Sequence, residues 1–318
     1  MKTYCASLLL SIVCCFFAPT AGFAQGCSDA GFCTMGALQP DQAPEQASLK
    51  LRELRILHSV SITVSGALVQ SSNIDIQWTL GQHWQLQTKL TPYQQTVSEY
   101  FQTQGLADAF LTLTRQVVQS NQGQLLMSVG AKIPLNRATL TAPNGQVLPM
   151  RYQSSLGTYD VVAGASWLSR RWLVAVGYQQ PLSTPAIAYR REALLAAGIS
   201  PEAAAYIVRY PETVDYQRGS DVMLRIERNF RSARWNGHLG LLNIYRLQPD
   251  RSRQASGELL PIVGTDGLVV NLLVGTGYQF STRSGINFLI ARQLYTRDRR
   301  ADGLDRLWLA NVGWYTRF

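Results

Sequence analysis

Three histidines, His58, His83 and His238, and five cysteines are the residues from which this chain could assemble nucleophilic or metal chemistry. A hydrolytic triad needs a nucleophile, a base and a group that orients the base, all within reach. No phrase beside any of the histidines supplies a recognisable serine-nucleophile motif. No His, Cys, Asp or Glu grouping has metal-ligand spacing. Gly275-Thr-Gly277 lies within an alternating apolar run rather than in a phosphate-cradling loop. The residues therefore predict no enzyme, no cofactor and no metal.

The cysteines speak to compartment instead. Met1-Lys2 gives a positive start, an apolar stretch runs from Leu8 to Phe17, and Gly22-Phe23-Ala24 places small residues where a signal peptidase reads. Cleavage is expected after Ala24, and Cys5, Cys14 and Cys15 leave with the signal. Cys27 and Cys33 remain, close together in an oxidising compartment, so a small disulfide loop is favoured over a metal site. Lipidation of Cys27 is the lesser reading, because Gln25 stands where a lipobox has a small residue.

The elements that must position everything else come from the remaining rhythm. After the signal no apolar run nears the roughly 18 residues of a membrane helix. The other way across a bilayer is a closed barrel, which pairs every backbone group internally. Composition, with 15% charged and 46% hydrophobic residues, fits a barrel and a soluble protein equally. Alternation decides. Trp172, Val174, Val176 and Tyr178 form one face of a run whose other face is Leu173, Ala175, Gly177 and Gln179. Twelve such strands are expected, near 53–65, 72–80, 83–90, 106–118, 123–133, 158–168, 171–181, 220–231, 233–246, 268–281, 284–295 and 306–318. The fold class is all-β, a transmembrane antiparallel up-and-down barrel over 53–318. It follows a signal peptide at 1–24 and a plug-like segment at 25–52.

Short turns at Gly81-Gln82, Asn121–Gly123, Ser169-Arg170, Ser232 and Thr282-Arg283 alternate with long connections, as when one end faces the periplasm and the other the exterior. Trp167, Trp172, Trp235 and Phe280 flank short turns and suit an aromatic girdle. Arg228 and Arg292 fall on the lipid face near strand ends, where an arginine can snorkel. The strand holding His238 changes parity at Leu241-Leu242, which suggests a bulge. The last strand alternates and closes on Phe318, the sorting feature of outer-membrane barrels. Replacing Phe318 by a charged residue is expected to leave protein in the periplasm. Normal amounts of heat-modifiable protein in the outer membrane would contradict that role.

With the apolar face to lipid, the interior carries Asp75, Gln77, Gln85, Gln87, Lys89, Lys132, Asp160, Asp221, Arg225, Glu227, Asn236, His238, Asn271, Asn287 and Asn311. These groups either line a polar path or form a network that stiffens the wall, and pairing is expected in both cases because unpaired buried charge is costly. His58 falls on the lipid face, where a lipid-acting enzyme would carry its base. Residues 25–52 lack strand rhythm and read as a plug, with a periplasmic tail as the plain alternative. In the connection 182–219, helices are expected over Arg191–Ala197 and, after the Ser200-Pro201-Glu202 start signal, over Pro201–Arg209. Leu194, Leu195, Ile199, Tyr206 and Ile207 would cover the outer mouth. The net charge of +9 is concentrated in exterior arginines: Arg151, Arg190, Arg191, Arg209, Arg218, Arg251, Arg253, Arg297, Arg299 and Arg300. There they would meet lipopolysaccharide phosphates rather than nucleic acid.

The phrases Gly105-Leu-Ala-Asp108, Lys132-Ile-Pro134, Tyr152-Gln-Ser-Ser-Leu-Gly-Thr-Tyr-Asp160, Asp266-Gly-Leu268 and Arg299-Arg-Ala-Asp-Gly-Leu-Asp-Arg306 resemble a group of Bacteroidota outer-membrane barrels. That group is distantly similar to the FadL-type channels and the meta-pathway phenol-degradation channels. The resemblance implies uptake of hydrophobic compounds through a barrel with an N-terminal plug. The chain is shorter than a FadL barrel requires, which leaves a fatty-acid substrate unsupported. Expected partners are outer-membrane lipids, lipopolysaccharide, the barrel-assembly machinery and a small solute. A closed structural barrel is the second reading, and a lipid-acting enzyme the third.

Overall fold

The computed structural model describes residues 49–318, so the signal, Cys27, Cys33 and most of the plug-like segment lie outside the described residues. The strands in chain order are β1 (Leu49–Thr63), β2 (Leu68–Leu80), β3 (Trp84–Val97), β4 (Gln102–Gly105), β5 (Asp108–Ser120), β6 (Gly123–Pro134), β7 (Asp160–Leu168) and β8 (Trp172–Pro181). They continue with β9 (Ala188–Tyr189), β10 (Thr213–Val214), β11 (Asp221–Ser232), β12 (Trp235–Arg246), β13 (Arg251–Arg253), β14 (Leu259–Pro261), β15 (Gly267–Gln279), β16 (Ser284–Tyr295) and β17 (Arg306–Arg317). Twelve of them close an antiparallel barrel, each pairing with its neighbours in sequence and β17 pairing with β1. The short strands β4, β9, β10, β13 and β14 belong to the long connections. The first strand begins at Leu49, four residues before its expected start.

The lipid face is what the alternation dictated. Ile56, Val129, Val176, Leu239 and Ile290 are exposed, while the residues between them are turned inward. An apolar band of this kind is stable only against hydrocarbon, and the chain is an outer-membrane β-barrel. Trp84, Trp172, Phe230, Trp235 and Phe280 ring the short-turn end as exposed aromatics. Arginines on this face lie over tryptophan rings. Arg115 covers Trp84 at 5.2 Å and Arg228 covers Trp172 at 5.0 Å at one interface, and Arg292 covers Trp308 at 4.8 Å at the other. The cation rests on a π-face at the depth where headgroups begin, which removes most of the cost of placing it there.

One expectation is corrected. The parity change at Leu241-Leu242 is no bulge: β12 keeps unbroken register with both neighbours, Leu241 opposite Leu272 and Leu242 opposite Asn271. Leu242 is simply an apolar residue pointing inward, and the reason lies in the interior described below.

At the long-loop end the connections pack on one another. Helices α1 (Arg191–Ala196) and α2 (Pro201–Ile207) form as expected, and the Ser200 hydroxyl caps α2 by accepting from the Ala203 N–H. Leu194, Ile207 and Tyr206 are buried against Tyr152, Tyr189, Tyr210 and Tyr216, whereas Leu195 stays exposed. The β1–β2 connection is a tight turn through Gly66 at φ +83°, and Tyr206 donates to its Ser65 hydroxyl at 3.2 Å. The helical loop is thereby fastened across the mouth.

Candidate functional site

The interior is the site, and it has three levels. At the outer level, charges from strand tops and loops meet in a layer almost without solvent. Lys132 on β6 reaches Asp160 on β7 at 3.0 Å and Asp108 on β5 at 3.9 Å. Arg218 binds Asp221 at 2.5 Å and Asp160 at 3.4 Å, and its Nε lies 4.0 Å from Asp302. Arg246 holds Asp221, Asp250 and Asp302 at 2.8–2.9 Å. Arg297 adds a contact to Asp302 at 2.7 Å. Asp302 hangs from the β16–β17 loop, almost diametrically opposite Asp160 in the strand order, so Arg218 bridges the lumen. Most of these charges have two or more opposite partners, the condition under which a buried ion pair is tolerable.

A segment of the β6–β7 connection dips into the mouth beside this layer. Met150 to Leu156 are all buried. The Thr103 hydroxyl donates to the Tyr152 carbonyl at 2.5 Å, the Ser154 hydroxyl to the Leu106 carbonyl at 2.6 Å, and the Ser155 hydroxyl to Asp108. Arg151 pairs with Asp305 and lies over the Tyr210 ring. Four of the sequence phrases quoted above converge here. Asp108, Lys132, the Tyr152–Asp160 stretch and the Asp302–Asp305 stretch together close the outer mouth.

The middle level is two-sided. On β1, β2, β3, β5 and β6 the inward residues are mostly polar, among them Ser59, Asn73, Asp75, Thr91, Thr112 and Ser128, with Val69, Phe110 and Leu126 as apolar exceptions. On β7 through β17 they form an apolar cluster of Val162, Ala175, Met223, Leu242, Ile244, Leu273, Ala291 and Leu309, with Leu289 against it. This is why Leu242 broke the expected polar-inside rule.

The inner level opens at the short-turn end into a cavity of about 240 Å³ lined by Leu173, Arg225, Glu227, Trp235, His238 and Arg317, among others. Arg225 binds Glu227 at 2.5 Å, and Arg317 binds Glu53 at 2.8 Å. The His238 ring lies where a side chain on Gly275 would stand: a Cβ there would meet the ring at 2.0–2.7 Å. Asn236 and Asn287 occupy the corresponding space over Gly277. Gly275→Val should therefore destabilise the barrel by about 1–3 kcal/mol through overpacking. Adding His238→Ala should recover most of the loss. Equal urea midpoints for Gly275→Val with and without His238→Ala would contradict this contact.

All fifteen interior residues named from sequence sit at inward register positions. Lys132, Asp160 and Asp221 belong to the outer layer. Asp75 accepts from Gln87 at 2.7 Å on the polar wall, where Gln77, Gln85 and Lys89 also lie. Asn271, Asn287 and Asn311 lie on β15, β16 and β17. Sequence reasoning missed Asp108, Arg246, Asp250 and Asp302, all four buried. It placed Arg151, Arg218 and Arg297 among the exposed exterior arginines, but all three are buried in ion pairs and cannot reach lipopolysaccharide. Their burial follows from the loops folding inward over the carboxylates. A loop arginine within a few residues of an aspartate was the one available signal, in Arg218 with Asp221 and Asp302 with Arg297.

His58 Nδ1 lies 3.2 Å from the Ser72 hydroxyl on the lipid face. Its outward surroundings, Ile56, Val60 and Val312, supply no orienting carboxylate. Among the described residues the pair is a polar contact between β1 and β2.

Asp302 gives the outer layer a pH dependence. Burial opposes its charge, but the guanidinium groups of Arg297, Arg246, Arg218 and Arg300 outweigh it and hold the carboxyl well below the usual range. A depressed folded pKa contributes stability above the unfolded carboxylate value and loses it as pH falls. Protease resistance of the outer loops should be constant from neutral pH to about 5 and should fall below about 4. Resistance that rises with acid would contradict the assignment.

The fold and its girdle define a bacterial outer-membrane barrel. No protein-family model matches the chain, and no curated protein does. Among solved structures it is similar to an outer membrane channel from Pseudomonas putida F1, with TM-score 0.53 and 12% identity over 88% of this chain and 100% of that one. It is also similar, at TM-score 0.40 and 11% identity, to the CymD monoaromatic hydrocarbon channel, covering 86% of this chain and 89% of that one. Outer membrane phospholipase A from Escherichia coli follows at TM-score 0.37 and 8% identity, over 85% and 98%. The first likeness speaks to fold alone, and the other two are too distant to carry an argument.

Proposed function

We propose that this barrel is an outer-membrane channel for passive uptake of small hydrophobic or amphipathic compounds, closed at its outer mouth in the state described. The observation that carries this reading is the two-sided interior, an apolar cluster of Val162, Met223, Leu242, Ile244 and Leu273 on one side and mostly polar residues on the other. A solute with an apolar body and one polar group matches both walls at once. The resemblance to FadL-type and meta-pathway channels leads in the same direction.

The test compares uptake of small aromatic solutes by cells with and without the barrel. It then repeats the comparison with Leu242→Asn and Leu273→Asn, which make the apolar wall polar at similar volume. Uptake should depend on the barrel and slow in the variant, with assembly checked by heat modifiability. Equal uptake with and without the barrel would contradict the reading.

A specific observation favours a second reading, a closed structural barrel. The outer ion layer spans the lumen through Arg218 and Arg246 and is shielded from water on every side.

A further inference from the structure

We infer that the inner mouth is a binding site for a small amphipathic monocarboxylate. Among the described residues, the cavity there is lined by Arg225, Arg231, Arg234 and Arg317 and by one acidic residue, Glu227. Its inward apolar lining comes from Leu168, Leu173 and Tyr315, all buried. Glu227 is engaged with Arg225, and Glu53 with Arg317, so the two described carboxylates here each already hold an arginine. The volume of about 240 Å³ suits a single-ring solute rather than a lipid chain.

A second observation concerns the rim. The five short turns hold Arg170, Arg171, Arg234 and Arg283, all exposed, and neither Asp nor Glu stands in any of them. Arg231, also exposed, stands at the end of β11. A mouth lined by one sign of charge with low-dielectric walls concentrates the opposite ion. A planar guanidinium matches a carboxylate in two hydrogen bonds. An aromatic or aliphatic body would then lie along Leu168, Leu173 and Tyr315, with its carboxylate toward the arginines. This deepens the proposed function by giving the solute a charge. It does not need the barrel to conduct.

Isothermal titration of the full-length barrel in an uncharged detergent tests the site, with benzoate, benzyl alcohol and inorganic phosphate as probes. Benzoate should bind saturably at one site, and benzyl alcohol of similar shape should not. Phosphate should bind more weakly than benzoate, because it leaves the apolar lining uncovered. Arg231→Gln with Arg234→Gln should weaken benzoate at least about tenfold. Arg170→Gln with Arg171→Gln, in the neighbouring turn, should leave it unchanged. Equal loss in both variants would mean diffuse surface charge that serves lipid phosphates, and would overturn the site. Absence of benzoate binding, or phosphate binding as tight as benzoate, would do the same. None of these outcomes depends on conductance, so the channel reading stands or falls separately.

Discussion

Arg246→Leu should release the outer closure while leaving the barrel assembled. Arg246 is the hub of the layer, holding Asp221, Asp250 and Asp302 from β11, the β12–β13 link and the β16–β17 loop. It is 1% exposed, so water cannot replace it without rearrangement. Removing one side of a buried pair costs about 3–5 kcal/mol, because the remaining charges are left uncompensated. The twelve-strand wall does not depend on this layer for its backbone hydrogen bonds. The loss should therefore appear as local opening of the loops, measured as rapid protease cleavage within 182–220 or 296–305 and faster hydrogen exchange there. Asp250→Asn added to Arg246→Leu should restore part of the resistance, since Asp221 and Asp302 keep Arg218 and Arg297. Loops as resistant as the native ones would mean that the tyrosine cluster, and not the ion layer, holds the mouth.

Gly303→Val should open the same mouth by a different route. Gly303 has φ +70°, a region that a β-branched residue avoids. A Cβ there would stand 2.6 Å from the backbone N and Cα of Arg151, atoms that cannot swing aside. The contact docks the β16–β17 loop onto the inward segment of the β6–β7 connection, beside the Arg151–Asp305 pair. Conformational strain of about 1–2 kcal/mol adds to the displacement. The expected result is the Arg246→Leu pattern of loop cleavage, with the wall intact by heat modifiability. Native loop resistance in Gly303→Val would show that the two connections are not docked as described.

The wall was legible in the sequence because a period of two survives when lipid lies on one side and the interior on the other. Boundaries at the short turns came out well, since Gly81, Asn121-Gln122 and Ser169-Arg170 punctuate sharply. The interior was legible only on its polar side. Leu241-Leu242 looked like a register fault because two leucines in succession leave the parity open, whereas Leu242 belongs to an apolar cluster inside the barrel. The ion layer was harder still. Asp302, Asp250, Arg218 and Arg151 lie in four different connections, and nothing local says that a loop arginine turns inward. Only the closure of the barrel brings the phrases around Asp108, Lys132, Asp160 and Asp302 to one place.

That convergence links fold to function. A barrel whose wall alone mattered would have no need for loops that carry five buried charges, Arg151, Arg218, Asp250, Arg297 and Asp302, into its mouth. A channel with a closable outer end would. The measurement that tests this most directly is planar-bilayer recording of the purified barrel, first intact, then as Arg246→Leu, then as Arg246→Leu lacking Ser28–Gln46, the segment read from sequence as a plug. The account predicts a silent or nearly silent intact barrel and discrete openings once the outer layer is released. Conductance should rise again or stay equal after the deletion, and should fall when Leu242→Asn and Leu273→Asn reshape the apolar wall. Silence in all three forms, with the barrel folded and inserted, would contradict a channel and leave the closed structural barrel as the function of this fold.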